Sequence, residues 1–196
     1  MSEYSMVSVP KVGSNPGMPR GKKNVIILFD FDKATMVRDE KGVKVTSLTM
    51  VGSALPIGMF VNQSSIDAGD EVEGDAYSRG FLHHVNFDHP GTEQAIAEFK
   101  ANNVNANLGA IILGCDASET TAKVYGTPCA PLTMQQAQEQ DTRENHNNHF
   151  ELKTEVRTWP VGIIDIADIP ATDDADVNAF LGLTTAVVEE EHHEDG

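Results

Sequence analysis

The sequence predicts a mainly β protein: an antiparallel β-sandwich or barrel with one α-helix on its flank. Residues 150–157 (FELKTEVR) alternate strictly between core-type and charged side chains, the period of a strand with one buried face. Residues 24–30 and 108–113 are short apolar runs, typical of strands buried on both faces. Residues 92–103 contain the one clear helical spacing of apolar side chains.

The other expected strands are short and are separated by turns that contain glycine or proline. Their number and order favour a layered β architecture over alternating strands and helices. In chain order, the expected strands are 24–30, 43–46, 56–62, 76–87, 108–113, 122–125, 132–134, 150–157 and 161–166.

The expected helix follows the strand 76–87. Thr92 is a suitable N-cap residue, because its hydroxyl can accept a hydrogen bond from a free amide of the first turn. Ala95, Ile96 and Phe99 then form the inner stripe. The pair Asn102-Asn103 is expected to end the helix after about three turns.

The chain divides into three segments. Residues 1–23 are rich in serine, proline and glycine and are expected to be a flexible N-terminal arm. Residues 24–170 form the β-rich domain, in which 135–149 is expected to be a long exposed loop because it lacks apolar spacing. Residues 171–196 are an acidic extension with a short helix near 174–181 and a disordered end, EEEHHEDG.

Composition excludes several classes of protein. The net charge is −16, from 30 acidic and 14 basic residues, so the surface repels nucleic acid. The longest apolar run, residues 25–29, is too short to span a bilayer, and the N-terminus lacks the features of a signal peptide. We therefore expect a soluble protein without a membrane partner.

Cys115 and Cys129 are expected to be small buried side chains.

One motif suggests catalysis. Asp30-Phe31-Asp32 ends an apolar strand and resembles the first motif of haloacid-dehalogenase-type phosphatases, in which the first aspartate is a nucleophile and the second a general acid. The family has threonine two residues after the second aspartate, whereas this chain has Ala34 there and Thr35 one position later. Those enzymes also require a parallel sheet with alternating helices, which this sequence does not predict.

The seven histidines do not form a recognisable metal site. His83 and His84 are neighbours in an expected strand, so their side chains point to opposite faces. His146 and His149 lie in an amide-rich segment without a matching pattern of carboxylates. No phosphate-binding loop, dinucleotide fingerprint or nucleophile elbow is present. We therefore expect no catalytic, cofactor-binding or metal-binding residues, and a protein that is not an enzyme.

Three segments show a resemblance to a known family. Residues 80–91 (GFLHHVNFDHPG) lead into the expected helix and are followed by 108–114 (LGAIILG) and by 124–132 (VYGTPCAPL). In these residues and their order, the chain resembles the major tail tube proteins of tailed bacteriophages. The alternating strand that starts at Phe150, after a polar segment, also suits that family. The resemblance covers about half of the chain.

This resemblance implies the fold of phage tail tubes and type VI secretion tubes, with two antiparallel sheets and one flanking helix. It also implies a structural virion protein in the tail, made in the host cytoplasm. Six subunits would form a ring, and stacked rings would form a channel through which DNA passes without specific binding. The implied partners are further copies of the chain and tape-measure, sheath or tail-terminator proteins.

Such an assembly is physically sensible, because copies that share strands cover the open sheet edges of a lone subunit. A head-to-tail contact with an offset also builds an open filament. Three alternatives remain at this stage. The chain could be another virion component, such as a capsid decoration or head–tail connector protein, an unrelated cellular binding domain, or a phosphatase that uses Asp30 and Asp32.

Overall fold

The computed structural model describes residues 6–10 and 21–183. Strands cover 48% of these described residues and helices 15%, which confirms the mainly β prediction. The described elements are β1 (Lys22–Asp30), β2 (Ala34–Arg38), β3 (Lys44–Met50), β4 (Ile57–Phe60), β5 (Asp67–Glu73), β6 (Gly80–Pro90), α1 (Gln94–Asn103), β7 (Leu108–Gly114), β8 (Thr121–Tyr125), β9 (Leu132–Asp141), β10 (His146–Thr154), β11 (Gly162–Asp165) and α2 (Ala175–Leu181).

These strands form one continuous hydrogen-bonded sheet with two parts. The first part has the order β4-β1-β7-β8-β11-β3-β2, and the second has the order β9-β10-β6-β5. A single pair, Leu108 with Leu132, joins β7 to β9 where the two parts meet. The pairs are antiparallel except for β3 with β11, which run parallel. The predicted antiparallel sandwich or barrel class is therefore confirmed.

The central strands β1 and β7 separate two hydrophobic cores. Because side chains alternate across a strand, each of these two strands contributes to both cores. The five side chains from Val25 to Phe29 are all buried, as the sequence predicted. The first core takes Val25, Ile27, Phe29, Ile111 and Leu113 from this pair, whereas the second takes Ile26, Leu28, Leu108, Ala110 and Ile112.

Helix α2 closes the first core. Asp174 is its N-cap, and the carboxylate accepts hydrogen bonds from the amides of Asp176 and Val177. Leu181 is buried in the first core, and Val177 lies so close to Gly58 of β4 that a larger residue there would clash. The short helix predicted near 174–181 is thus confirmed, and the folded unit continues past residue 170 to Leu183.

The second core contains a row of aromatic rings beneath α1. The rings of Phe87 and Phe150 are stacked with centroids 5.2 Å apart. Phe99 of α1 packs edge-on against Phe150 at 5.9 Å, and Ile96 is buried beside it. The predicted inner positions Ile96 and Phe99 are confirmed, as is the end of the helix at Asn103.

Two details of the predicted helix are wrong. Glu93 is the N-cap residue, and it makes no capping hydrogen bond through its side chain. Thr92 lies before it, and its hydroxyl contacts Nε2 of His146 at 3.1 Å. Ala95 is exposed, because Ile96 and Phe99, three residues apart, already define the buried side of this short helix.

The largest correction concerns residues 135–149, predicted to be an exposed loop. They belong to β9 and β10, which form a hairpin with its turn at 142–145. The sequence did not indicate these strands, because their side chains are mostly polar. The strands pair through main-chain hydrogen bonds, and most of residues 135–149 do not cover a core. Asn148 is nevertheless fully buried: its amide donates to the carbonyl of Gly91 at 2.8 Å, and its oxygen accepts from Lys100 at 2.7 Å.

Strands β2 and β5 were not predicted, and the expected strand 76–87 begins four residues late, at Gly80. β2 is short, and β5 contains four carboxylates in seven residues, so neither shows the usual strand pattern.

Val156 is exposed, although the alternation placed it in the core, because β10 ends at Thr154. There the Thr154 hydroxyl accepts a hydrogen bond from the amide of His83 at 2.9 Å.

The prediction of two buried cysteines is also wrong. Cys115 and Cys129 are exposed free thiols. Each follows the end of a strand, where the chain turns away from the cores, and the thiol of Cys115 donates to the carbonyl of Lys22 at 2.7 Å. Lys22 lies within β1, so the strand begins inside the predicted arm 1–23. Of that arm, residues 1–5 and 11–20 lie outside the described residues, and so do 184–196 of the acidic extension.

Replacing Phe99 tests the packing of α1. Phe99→Ala removes the ring that contacts Phe150, so we expect the free energy of unfolding to fall by about 3 kcal/mol, the low end of the range for such changes. Urea denaturation followed by circular dichroism measures this loss. Val104→Ala, at an exposed position just after the same helix, is the control and should change stability by less than about 0.5 kcal/mol. Equal effects of the two substitutions would contradict this packing.

Candidate assembly surface

Residues that showed the family resemblance meet at one buried histidine. His83 of β6 is fully buried, and its Nδ1 accepts a hydrogen bond from the amide of Gly126 at 2.9 Å. Its Nε2 lies 2.8 Å from the carbonyl of Trp159 and must therefore be the nitrogen that donates. Nearby, the hydroxyls of Thr127 and Thr158 are 2.9 Å apart. His83 thus holds together three chain segments that are distant in sequence.

Burial determines the charge of His83. Loss of solvent lowers the pKa of its imidazole, and the nearby Arg38 guanidinium lowers it further, whereas the hydrogen bond to Trp159 and the carboxylate of Asp70 raise it. Because Nδ1 already accepts from an amide, a second proton on the ring would break that bond. His83 is therefore a neutral structural residue. Its neighbour His84 lies on the opposite, partly exposed face, as the sequence predicted.

His149 has the opposite environment. Its Nδ1 lies 2.6 Å from a carboxylate oxygen of Asp88, and its Nε2 lies 3.4 Å from Glu151. The hydrogen bond to Asp88 raises the pKa of the His149 imidazole, although partial burial opposes this. Asp88 belongs to the FDHPG run, so the acidic residue of that run links β6 to the neighbouring β10.

The Asp30-Phe31-Asp32 motif serves a local structural purpose. Asp30 caps a short 3₁₀ turn through a hydrogen bond from the amide of Asp32 at 2.9 Å. The Asp32 carboxylate accepts from the side-chain amide of Asn107 at 3.1 and 3.2 Å. The strand that precedes them, β1, lies between antiparallel neighbours. The parallel sheet on which the phosphatase motif depends is therefore not formed around these aspartates.

Neither a metal site nor a membrane-spanning helix is found in the described ranges 6–10 and 21–183. No three of the His, Cys, Asp and Glu side chains there are grouped so that they could hold a metal ion. No helix there is both long and apolar enough to cross a bilayer. His192 and His193 lie outside these ranges.

The structural feature that remains unexplained is the set of free sheet edges. Within the described part of the chain, β2 pairs only with β3, β5 pairs only with β6, and β9 pairs with β10 along its length but with β7 through Leu132 alone. Each edge strand leaves main-chain amides and carbonyls along one side available to another strand. β2 and β5 are the two ends of the path that runs through both parts of the sheet.

β4 also pairs on one side only, but the end of this strand is tied to β6. The imidazole of His89 donates from Nδ1 to the carbonyl of Phe60 at 2.8 Å. The amide of Asn62 donates to the carbonyl of Asp88, also at 2.8 Å. These contacts make β4 a poorer template for another strand than β2 or β5.

The two free edges differ in charge. β5 has four carboxylates and no cation, and one of these, Glu71, is paired with Lys153 at 3.0 Å. The segment 33–50, which contains Lys33 and the hairpin of β2 and β3, has more cations than carboxylates. The cations are Lys33, Arg38, Lys41 and Lys44, and the carboxylates are Asp39 and Glu40. Lys33 and Lys44 contact Asp30 and Asp165, at 3.6 and 2.7 Å.

This difference restricts how the edges can pair. Two β5 strands placed side by side would bring carboxylate against carboxylate, which is unfavourable. A β5 strand placed against a β2 strand would avoid this repulsion, because β2 contains no carboxylate. Both edges also expose an apolar side chain, Val37 on β2 and Val72 on β5. The arrangement thus favours a head-to-tail contact between different edges of two copies.

Sequence reasoning anticipated open edges but did not locate them. The run DAGDEVE has the composition of a loop, and its strand identity depends on pairing with β6. The run did contain one indication of an edge strand. Four carboxylates close to an exposed valine are typical of an edge strand that is protected from unwanted pairing.

Comparison of this chain with family models, with curated proteins and with solved structures found no match. The resemblance to tail tube proteins therefore stays a prediction from the sequence.

The neutral state of His83 makes stability depend on pH. In the folded protein the ring resists protonation, whereas in the unfolded chain it takes a proton below about pH 6.5. The unfolded state then binds more protons, so stability falls as the pH drops below that value. His83→Gln keeps a donor and an acceptor but cannot titrate, and we expect the variant to lose less stability on acidification.

The measurement is urea denaturation of both proteins between about pH 7.5 and 5. The difference between them isolates His83, because all other titrating groups are shared, and its slope is at most about 1.4 kcal/mol per pH unit. Parallel pH profiles for the two proteins would show that His83 does not take up its proton on unfolding.

Proposed function

We propose that this chain is a self-assembling, non-catalytic structural subunit, and specifically the tail tube protein of a tailed bacteriophage. The observation on which this proposal mainly rests is that one subunit has two free sheet edges that differ in charge, β5 with four carboxylates and β2 with none. Pairing of β5 of one copy with β2 of the next is a head-to-tail contact, which closes into a ring when the rotation between copies permits.

The family resemblance supplies the details of this proposal. Six copies form a ring with a continuous inner sheet, and stacked rings form the channel for DNA in the virion tail. The excess of carboxylates suits such a channel, because an acidic wall repels the phosphate backbone. Tape-measure, sheath or tail-terminator proteins are the further partners in this proposal.

An acidic edge can also keep a protein monomeric, because charged edge strands prevent unwanted pairing. The two possibilities differ in oligomeric state. Light scattering coupled to size-exclusion chromatography, followed by electron microscopy of concentrated protein, distinguishes them. We expect species of six times the chain mass and hollow tubes. A protein that remains monomeric at every concentration, as a capsid decoration protein could, would rule out the tube.

Two substitutions at one position test the role of the edge. Val37 is half exposed on β2, so it can be changed without opening a core. Val37→Glu adds a carboxylate that would face the acidic β5 of the next copy, whereas Val37→Lys adds a cation at the same place. We expect Val37→Glu to raise the concentration required for assembly by roughly tenfold, equivalent to about 1.4 kcal/mol per contact. Val37→Lys should assemble at least as well as the unchanged protein.

Thermal unfolding of the separated monomers is the control for folding and should give similar melting temperatures for both variants. If both variants assemble equally, or both fail equally while folded, pairing between β2 and β5 is excluded. If tubes form and neither substitution at Val37 changes their assembly, the tube proposal stands, but the contacts between subunits lie on other surfaces.

A further inference from the structure

A cleft of about 740 Å³ lies beside β2, away from the Asp30 motif. Its walls come from β2, the start of β6 and the segment 157–160. Three of the chain's five arginines line it: Arg38, Arg79 and Arg157. Such a concentration of positive charge is unexpected in a chain with 30 carboxylates and 14 cations. We call this site the arginine cleft.

Hydrogen bonds to carbonyl groups hold the guanidinium groups of Arg38 and Arg157. Nη1 of Arg38 donates to the carbonyls of Gly42 and Pro160 at 2.8 and 2.9 Å, whereas its Nε and Nη2 are buried without a hydrogen-bond partner. Burial lowers the pKa of this guanidinium, although the carboxylate of Asp39 opposes the shift.

The other two arginines have guanidinium donors that are not used in hydrogen bonds. Nη1 of Arg157 donates to the carbonyl of Ser78, and Arg79 has no hydrogen bond or ion pair within the described residues. None of the three forms an ion pair with a carboxylate of that part of the chain. A guanidinium pairs best with a planar carboxylate or a phosphate, so an anionic ligand matches this site.

The cleft also has an apolar side. Trp159 packs on Gly42, which has the positive φ of +69° and no room for a side chain beneath the ring. Phe81, Met36 and Pro128 complete this wall. Trp159 is 44% exposed, and it is the only tryptophan in the chain, so its fluorescence reports directly on the cleft. A ligand that combines carboxylates with aliphatic or imidazole groups would satisfy both sides.

The chain itself contains a segment with this chemistry. Residues 184–196 (TTAVVEEEHHEDG) include five carboxylates and no Lys or Arg. Leu181 and Gly182, three and two positions before the start of this segment at residue 184, lie with Thr120 beside a second cleft at one end of β8. The arginine cleft contains Thr127, just past the other end of β8. The distance between the two clefts is therefore roughly 20 Å, the length of six or seven extended residues.

The reach of the segment matches that distance. Glu189 is six positions after Leu183, and six steps of extended chain span up to roughly 20 Å. Residues 189–195, which contain all five carboxylates, can therefore arrive at the arginine cleft of the same molecule. We propose that the acidic segment 184–196 of this chain binds in the arginine cleft of its own subunit, with its carboxylates paired to Arg79 and Arg157 beside the buried Arg38.

The strength of this contact depends on salt. A covalent link through a short segment raises the effective concentration of the ligand to about the millimolar range, so even a weak pairing is occupied. The charges are partly exposed and are screened when the Debye length falls from about 30 Å at 0.01 M salt to about 3 Å at 1 M. The docked state is thus favoured at low ionic strength and released at high ionic strength.

The first experiment uses full-length protein and acrylamide, an uncharged quencher of tryptophan. The test variant replaces Glu189, Glu190, Glu191 and Glu194 by Gln and Asp195 by Asn, which removes the charge but keeps the length. In the unchanged protein we expect Trp159 to be quenched less at about 0.01 M salt than at about 1 M salt. The neutralised variant should show the high-salt behaviour at both. Identical quenching of the two proteins at low salt would overturn the proposal.

The second experiment adds a synthetic peptide of residues 184–196 to the neutralised full-length chain and follows Trp159 fluorescence. Loss of one charge-assisted pair by Arg79→Gln should weaken peptide binding by roughly tenfold. Arg79 has no hydrogen bond or ion pair to lose within the described residues, so folding should be unaffected. Arg143→Gln, in the turn between β9 and β10 and outside the cleft lining, is the matched control and should leave binding unchanged.

Failure of the peptide to bind the neutralised chain, or equal binding by the Arg79 and Arg143 variants, would exclude the arginine cleft as the docking site. The inference does not rest on the proposed tail tube function, since Trp159 reports on the cleft in a monomer or a ring. A negative result here therefore leaves assembly through β2 and β5 untouched.

Discussion

The structure depends on the pairing of two apolar strands, β1 and β7, that belong to both cores at once. Because alternate side chains point to opposite sides, each strand supplies a wall to the first core and a wall to the second. The other elements are arranged around this pair. α2 and the strands β3, β8 and β11 cover one side, and α1 with the strands β6, β9 and β10 covers the other. A strand buried on both faces cannot slip in register without exposing one core, which gives the whole sheet its order.

Electrostatics acts against this cohesion. A net charge of −16 creates repulsion across the surface, and the structure offsets it with local pairs such as Lys100 with Glu139 and Lys153 with Glu71. The remaining charge is unevenly distributed. β5 concentrates carboxylates on one sheet edge, whereas cations gather near β2 and in the arginine cleft. This asymmetry gives one subunit two different surfaces, and contact between unlike surfaces is the geometry from which rings and filaments are built.

The residues that suggested a family also have a structural explanation. His83, Gly126 and Trp159 form a buried hydrogen-bonded junction, and Asp88 with His149 links two strands on the outside. Gly126 adopts a φ of +85°, a conformation that favours glycine in the Tyr-Gly-Thr-Pro step. These hydrogen bonds give the motif residues a role in maintaining the fold. For that reason the identity proposed for this protein depends on assembly experiments rather than on an assay of activity.

The sequence alone determined those features whose signal is local. The apolar runs at β1 and β7, the alternation in β10 and the apolar spacing of Ile96 and Phe99 identified the strands, the helix and the fold class, because burial of periodic side chains leaves a periodic trace. Tertiary structure decided what depends on distant partners. β5 is a strand because β6 supplies its hydrogen bonds, and β10 of the polar hairpin is likewise paired with β6, which is distant in sequence. The arginine cleft collects residues separated by more than one hundred positions, and no local pattern can predict such a meeting.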